Sequence, residues 1–581
     1  MNRYYSPREG SKRAREAEER GLGPGAFAAL PCGRTRGPGG TWRRVRPFKW
    51  LDFRPLWASR NDRLARLLGD PTNAMRARWV RHLAGPADDP ERLAERFRVE
   101  AAGGGEAACL VIGDTGEGDA SQCAVVPQLL EAAPGTAFLF ICSDVIYPAG
   151  DASDYPAKFY GPYAGYAGPI YAVPGNHDWY DELCGFAFHL CDADPPPGLE
   201  GPELGLIERL LWRRPRRPSA AARRARERRP PGRRPQPGPY LALDLGPVLL
   251  VGIDTGIEGG LDAAQGRWLR HVSASVDKPK VLLTGKPLYV DGQYHPGTIE
   301  GLNATVDDIV TEPAHRYVAA IGGDIHNYQR YPVRLEDGRV IEYIVSGGGG
   351  AFMHATHRIP HVDLGGVSED GTDPDPVRGD GFRCFPLRGD SIAFYSRAVR
   401  RALRQLIRDA LLAGAGFAAA CAVLLALAGI RWWSVEAGVL LALPAAASLH
   451  VIAYLARIGA FEIAFGPVER LTGEEGAAWI AARIGTSPTL GRSAELDPRK
   501  ARLAELIAPR FHRIGGFLHS YFSEIMDIDE PPLYKQFLRL DARPGELVIS
   551  CYAAIGTEAE GDPLALEDQV TIPLPPAGRV S

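Results

Sequence analysis

The stretch from Ile170 to Glu182, "IYAVPGNHDWYDE", decides how the chain is read. Four apolar residues, Ile170 to Val173, run into Pro174 and Gly175, and Asn176, His177 and Asp178 follow at once. A short apolar run closed by Pro-Gly reads as a strand entering a tight turn. One polar loop after one strand carries little information. The reading depends on whether other strands end the same way.

Four others do. "AACLVIGDTGEGD" ends on Asp114, and "TAFLFICSDVIYPAGD" ends on Asp144, with Tyr147 three residues on. "KPKVLLTGKPLYVDG" ends on Lys286, and "RYVAAIGGDIHNYQRY" on Asp324 and His326. Continuous apolar runs predict strands covered on both faces. In such sheets the loops at the carboxyl ends of the strands converge on one site. The run from Tyr240 to Gly256 carries a Gly-Pro turn and predicts a hairpin in a second sheet. "ASQCAVVPQLLEAA" and "DAAQGRWLRHVSASV" supply helices between strands. The expected class is α/β, with packed sheets and flanking helices.

The loop residues suggest a chemistry. Asp, Asn and His are donors suited to Mn, Fe or Zn. Paired metals need a shared carboxylate; they polarise a phosphoryl oxygen and lower the pKa of a bound water. A neighbouring His177–Asp178 pair would protonate the leaving alkoxide.

The matching stretches "GDTG", "SDVIY", "GNHD" and "GDIHNYQR", between about residues 107 and 332, resemble the calcineurin-like metallophosphoesterase superfamily. Within it they look most like the purple acid phosphatase branch. The resemblance implies a four-layer fold, two β-sheets between helices, with a dinuclear metal centre. Carried over, Asp114, Tyr147 and His326 would hold the first metal, Asp144 would bridge, Asn176 would bind the second, and His177 would donate a proton. Tyrosinate on ferric iron would colour the protein. "IEYIVSGGGGAF" and the C-terminal "PLYKQFLRLDARPGELVISCYAAIG" are also like the family, the latter as a closing strand pair.

Two positions depart from the family pattern. Lys286 and Asp324 stand where histidine ligands of the second metal are usual. Asp324 still offers a carboxylate, but a protonated lysine offers no lone pair and adds positive charge. Three resolutions are open: Lys286 clamps phosphate as a fixed cation beside an absent or weak second metal; Lys286 pairs with Asp324 structurally; or His295, His354 or His357 fills the gap. The first is the working expectation, with one or two Fe, Mn or Zn ions per chain.

The chain has 581 residues, a formal net charge of −3 and nine cysteines. That length exceeds one ordinary domain. Its first hundred residues are basic and expected to be partly disordered, and the catalytic domain is placed at 101–395. Within it, the Arg/Pro-rich tract 212–239 lacks apolar anchors and is read as a flexible insertion. Contact of that tract with nucleic acid or anionic lipid is a weaker reading, because no stacking aromatics interleave with the arginines. Scattered cysteines inside apolar runs predict free thiols and a reducing compartment. Cys184 and Cys191 flank His189, but the spacing fits no common zinc pattern. The first twenty residues are too charged for a signal peptide.

Residues 410–430 and 437–456 are uncharged runs joined by "RWWSVE". Each has the roughly 20 residues that cross a bilayer, with Trp432 and Trp433 placed as interfacial aromatics. A transmembrane hairpin is therefore expected within 396–470, followed by a helical connector at 471–530 and closing strands at 531–581. Arg397, Arg400, Arg401, Arg404, Arg408 and Arg457 flank the spans, against Arg431 alone in the turn. The positive-inside rule then puts both ends, and the catalytic domain, on the cytoplasmic side of the inner membrane.

The expected function is a membrane-anchored, metal-dependent phosphoesterase acting on a phosphomonoester, phosphodiester or pyrophosphate. The alternative is a catalytically weak or inactive membrane scaffold or sensor on the same fold.

Overall fold

The computed structural model describes most of residues 50–387 and 526–574, leaving out several short stretches together with 197–210 and 360–380; outside those bounds it describes two short strands within 34–44 and isolated positions from 390 to 423. The chain divides into two compact units. One comprises Met1–Leu387 with Asp527–Ser581, and the other Arg388–Met526. Apart from Ala419 and Val423, the expected spans 410–430 and 437–456 lie outside the described residues. Among the described residues no helix is long and apolar enough to cross a membrane.

In the first unit, β1 (Arg98–Glu100) is followed by three mostly apolar strands, β2 (Ala107–Gly113), β3 (Thr136–Cys142) and β4 (Ile170–Val173). Then come β5 (Leu241–Asp244), β6 (Leu249–Ile253), β7 (Lys280–Thr284), β8 (Tyr317–Gly322), β9 (Tyr328–Arg334), β10 (Val340–Ser346) and β11 (Arg383–Phe385). The C-terminal segment gives β12 (Lys535–Arg543), β13 (Glu546–Ala554) and β14 (Ala565–Pro573). They form a six-stranded sheet, β14-β13-β12-β2-β3-β4, and an eight-stranded sheet, β11-β9-β10-β8-β7-β6-β5-β1. Strands β2, β3 and β4 are parallel, as are β6, β7 and β8. Tyr240–Gly256 is an antiparallel hairpin, with Leu241 opposite Gly252.

The alternation of side chains explains the layers. Leu110, Ile112, Leu139, Ile141 and Ala172 point to one face of the first sheet and pack with Val125 and Leu129 of helix α2 (Ala120–Glu131). Ala242, Val251, Leu282 and Ala320 of the second sheet pack with Trp268 and Leu269 of α3 (Ala263–Ser275). The opposite faces meet each other: a Cβ on Gly252 would stand 3.1 Å from Phe140 and Val173. Each central strand is thus buried on both sides, which is why its sequence shows no polar alternation.

Two sequence expectations are corrected below. Within the basic N-terminal region there are helices at Phe53–Ala58, Asn61–Leu68 and Pro90–Arg96, and in α1 (Thr72–Ala84) Met75 and Trp79 join the core. Its Arg76 is wholly buried, bonded through Nε to Asp254 at 2.8 Å and through Nη1 to Asp262 at 3.2 Å. The Arg/Pro-rich tract is not an unanchored loop. It contains a helix, Ala220–Glu227, and buries Trp212, Arg213, Ala222, Arg233 and Gln236. Arg213 donates to the carbonyls of Ala149 and Tyr180 and pairs with Asp151 at 2.6 Å, so its guanidinium caps backbone that an apolar side chain would leave unpaired. Finally, Cys123 is disulfide-bonded. Cys109, Cys142, Cys184, Cys191, Cys384 and Cys551 are free.

Candidate metal centre

The residues singled out in sequence stand at the carboxyl ends of adjacent parallel strands. Asp114 follows β2, Asp144 β3, Asn176 and His177 β4, Lys286 β7, and Asp324 and His326 β8. Asp114, Asp144 and Asp324 have φ of 55°, 40° and 66°. The left-handed region is rare outside glycine, and aspartate is among the side chains that enter it most readily. Each strand therefore breaks sharply at its aspartate.

One half of the site is a tight donor cluster. Tyr147 Oη lies 3.3 Å from Asp114 Oδ1 and 3.1 Å from His326 Nε2. Asp114 is fully buried, and its Oδ2 has no hydrogen-bond partner. His326 Nδ1 donates to the Phe352 carbonyl at 2.8 Å, which leaves the Nε2 lone pair directed at the cluster, the arrangement a ligating histidine needs. Burial, aided by His354 and Lys535, holds His326 well below the usual histidine range, so it is neutral. Burial and the charges of Asp144 and Asp324 push the Asp114 carboxyl well up. A neutral imidazole, a phenol and an orphaned buried carboxylate oxygen among like charges fit a cation. Glycines permit the close packing: a Cβ on Gly347 would stand 2.4 Å from Asp114 Oδ2, and one on Gly175 2.1 Å from Asp144 Oδ1.

The other half differs. Asp144 Oδ1 accepts the His177 backbone N–H at 2.9 Å. Asn176 Nδ2 donates to Tyr180 Oη at 2.6 Å, and its Oδ1 is buried without a partner. Lys286 Nζ stands 3.3 and 3.4 Å from the two Asp324 oxygens. His177 Nδ1 donates to the Pro148 carbonyl at 2.7 Å. The expected His177–Asp178 couple is corrected. Asp178 turns away from the ring and accepts the backbone N–H groups of Val145, Ile146 and Gly175 at 2.9, 3.1 and 3.1 Å. It braces two site loops.

Of the histidines proposed to fill the gap, His354 stacks on His326 with centroids 4.3 Å apart, and its Nδ1 accepts the His326 N–H at 3.2 Å. His295 lines a pocket with Lys286 and Asp324. His357 lies outside the described residues. His189 is hydrogen-bonded to Tyr160 and Ala152. Among the described residues, the His, Cys, Asp or Glu group whose ligand atoms lie within 4.8 Å of one another is Glu117, Asp119 and Asp527, not the strand-end carboxylates.

Sequence reasoning missed Trp50. It lies buried against Tyr147 and His177, each 5.2 Å away between ring centroids, and its Nε1 donates to Glu117 at 2.5 Å. A large aromatic closing the basic run "RRVRPFKW" was the available signal.

Stacked sheets thus bring carboxylate, phenol, amide and imidazole donors together at one set of strand ends, a donor set suited to a metal ion. Residues 108–204 match the model of the calcineurin-like phosphoesterase family. No curated protein matches the chain. Among solved structures, a purple acid phosphatase from yellow lupin (Lupinus luteus) seeds is similar at 15% identity over 44% of this chain and 46% of its own, with a TM-score of 0.27. GAP50, the anchor in the inner membrane complex of Plasmodium, is 11% identical over 43% and 74%, with a TM-score of 0.29. A Thermus thermophilus protein, TT1561, is 14% identical over 42% and 89%, with a TM-score of 0.25. The match spans under half of the lupin phosphatase.

Proposed function

We propose that the chain is a metal-dependent phosphoesterase of the purple acid phosphatase type, held at a membrane by the hairpin 396–470. The observation that carries this is the Asp114–Tyr147–His326 cluster, with its unpartnered carboxylate oxygen. Those side chains would hold the metal, with Asp144 beside them. A metal bound there would supply Lewis acidity toward a phosphoryl oxygen and acidify a water.

The chain's own groups do the rest. Asn176 presents its free Oδ1 into the site, oriented by Tyr180. Lys286 places a positive charge beside the phosphoryl group as negative charge develops. His177, with Nδ1 fixed on Pro148, gives a proton from Nε2 to the leaving oxygen. The organic part of the ester sits in a pocket of about 380 Å³ lined by Lys286, Leu288, Val290, His295, Thr298 and Asp324 among others.

Full-length protein loaded with Mn or Fe should hydrolyse an aryl phosphate or a bis-aryl phosphodiester. Absence of turnover with Mn, Fe and Zn alike would leave the scaffold reading in its place, the one Lys286 at a ligand position supports. Both hairpin ends are proposed to face the cytoplasm, on the arginine flanks. The Cys123 disulfide counts against a reducing compartment. Protease protection of inverted and right-side-out vesicles therefore decides orientation.

A further inference from the structure

We infer that the site holds a single metal ion, at Asp114, Tyr147 and His326, and that the Lys286 ammonium takes the place of a second. The inference rests on the phosphoesterase reading of the same site.

The asymmetry between the two halves carries it. On the first side a phenol, an imidazole nitrogen with its lone pair free and an orphaned carboxylate oxygen converge. On the second side the Asp324 carboxylate is already engaged. Both oxygens of Asp324 lie on Lys286 Nζ, at 3.3 and 3.4 Å, and His354 stacks on His326 with its Nδ1 taken by the His326 backbone N–H.

Lys286 is also not free to leave. Its backbone N–H donates to Thr255 Oγ1 at 3.0 Å, and its carbonyl accepts the Thr284 hydroxyl at 2.9 Å. Its side chain is about a quarter exposed, and Asp324 is similarly enclosed. A divalent ion beside this ammonium would meet like charge at a few ångström in a partly desolvated cleft, where Coulomb repulsion is weakly screened. It would also have to take Asp324 away from its present partner. A fixed ammonium satisfies the same carboxylates, cannot dissociate, and still presents donors to a phosphoryl oxygen.

The test is metal stoichiometry, read by elemental analysis of full-length protein equilibrated with excess Mn, Fe or Zn and then desalted. Wild type should retain one ion per chain. His326→Ala should retain none, and the Lys286→His/Asp324→His double substitution should retain two. A wild-type count of two overturns the inference and leaves the phosphoesterase reading standing. A wild-type count of zero overturns both. A count of one that survives His326→Ala places the ion elsewhere and overturns the assignment. A folded double variant that stays at one shows that Lys286 was not what kept the second ion out. The wild-type count decides even if the variants do not fold.

Discussion

The hydroxyl of Tyr147 lies 3.1 Å from Nε2 of His326, although 179 positions separate them in the chain. The contact joins the end of β3 in one sheet to the end of β8 in the other. Tyr147 also reaches Asp114, so one phenol connects three strands. Replacing it with phenylalanine keeps the ring packed against Trp50 but removes the oxygen. Losing a neighbour of a metal ligand typically costs 10–100-fold in affinity, and losing a ligand should cost no less. The Tyr147→Phe protein should bind iron at least roughly 10-fold more weakly. A visible absorption band present in ferric wild type should vanish; its persistence would place the chromophore on another residue.

His177 is proposed as the proton donor, and its geometry separates that role from metal binding. Its Nδ1 is held by the Pro148 carbonyl. The His177→Ala protein should keep its metal but lose about 10²–10⁴ in kcat, the usual contribution of a placed acid. The loss should be steeper for an alkyl phosphate than for an aryl phosphate, because a poor leaving group needs the proton more. Parallel elemental analysis and kinetics with the two esters check this. An equal loss on both esters would assign His177 to binding.

What the sequence made legible follows from where the polar groups had to go. Strands buried on both faces leave their ends as the place for Asp114, Asp144, Asn176 and His326, and the double-faced burial of Leu110 to Ile112 is readable as an unbroken apolar run. The α/β class and two-sheet packing were therefore visible. Contacts made by backbone were not: the carbonyls of Phe352 and Pro148 that orient His326 and His177 have no sequence signature. Asp178 looked like a partner of His177 because it is adjacent, yet its carboxylate satisfies three loop N–H groups. Arg213 and Arg233 looked like solvated charge. A guanidinium that bonds carbonyls is buried as readily as an apolar side chain, and composition alone does not distinguish the two cases.

His189 offers a pH test away from the site. Burial lowers it to about 4, and it is held neutral between the Ala152 carbonyl, which accepts from Nε2, and the Tyr160 hydroxyl on Nδ1. In the unfolded chain the same group titrates near 6.5. Above that value neither state binds the proton and the contribution is fully present. As pH falls from 6.5 toward 4, only the unfolded chain takes it up, and stability drops by about 3 kcal/mol before levelling off. Denaturant midpoints measured across this range should fall in wild type and fall less in His189→Phe. Parallel curves for the two proteins would remove His189 from the account.

The pocket beside Lys286 makes the substrate question experimental. Thr298 lines it from an exposed position, so a larger side chain there occupies pocket space without entering the core. A Thr298→Trp protein should handle a small ester such as phenyl phosphate as wild type does. For an ester with a bulky leaving group its kcat/KM should fall about 10-fold or more, equivalent to about 1.4 kcal/mol of lost transition-state binding. The loss should be in KM if the pocket binds the organic group equally in ground and transition states. A uniform loss across both esters would mean that the substitution disturbs Lys286 rather than the pocket, since that ammonium meets every phosphate regardless of what it is bonded to.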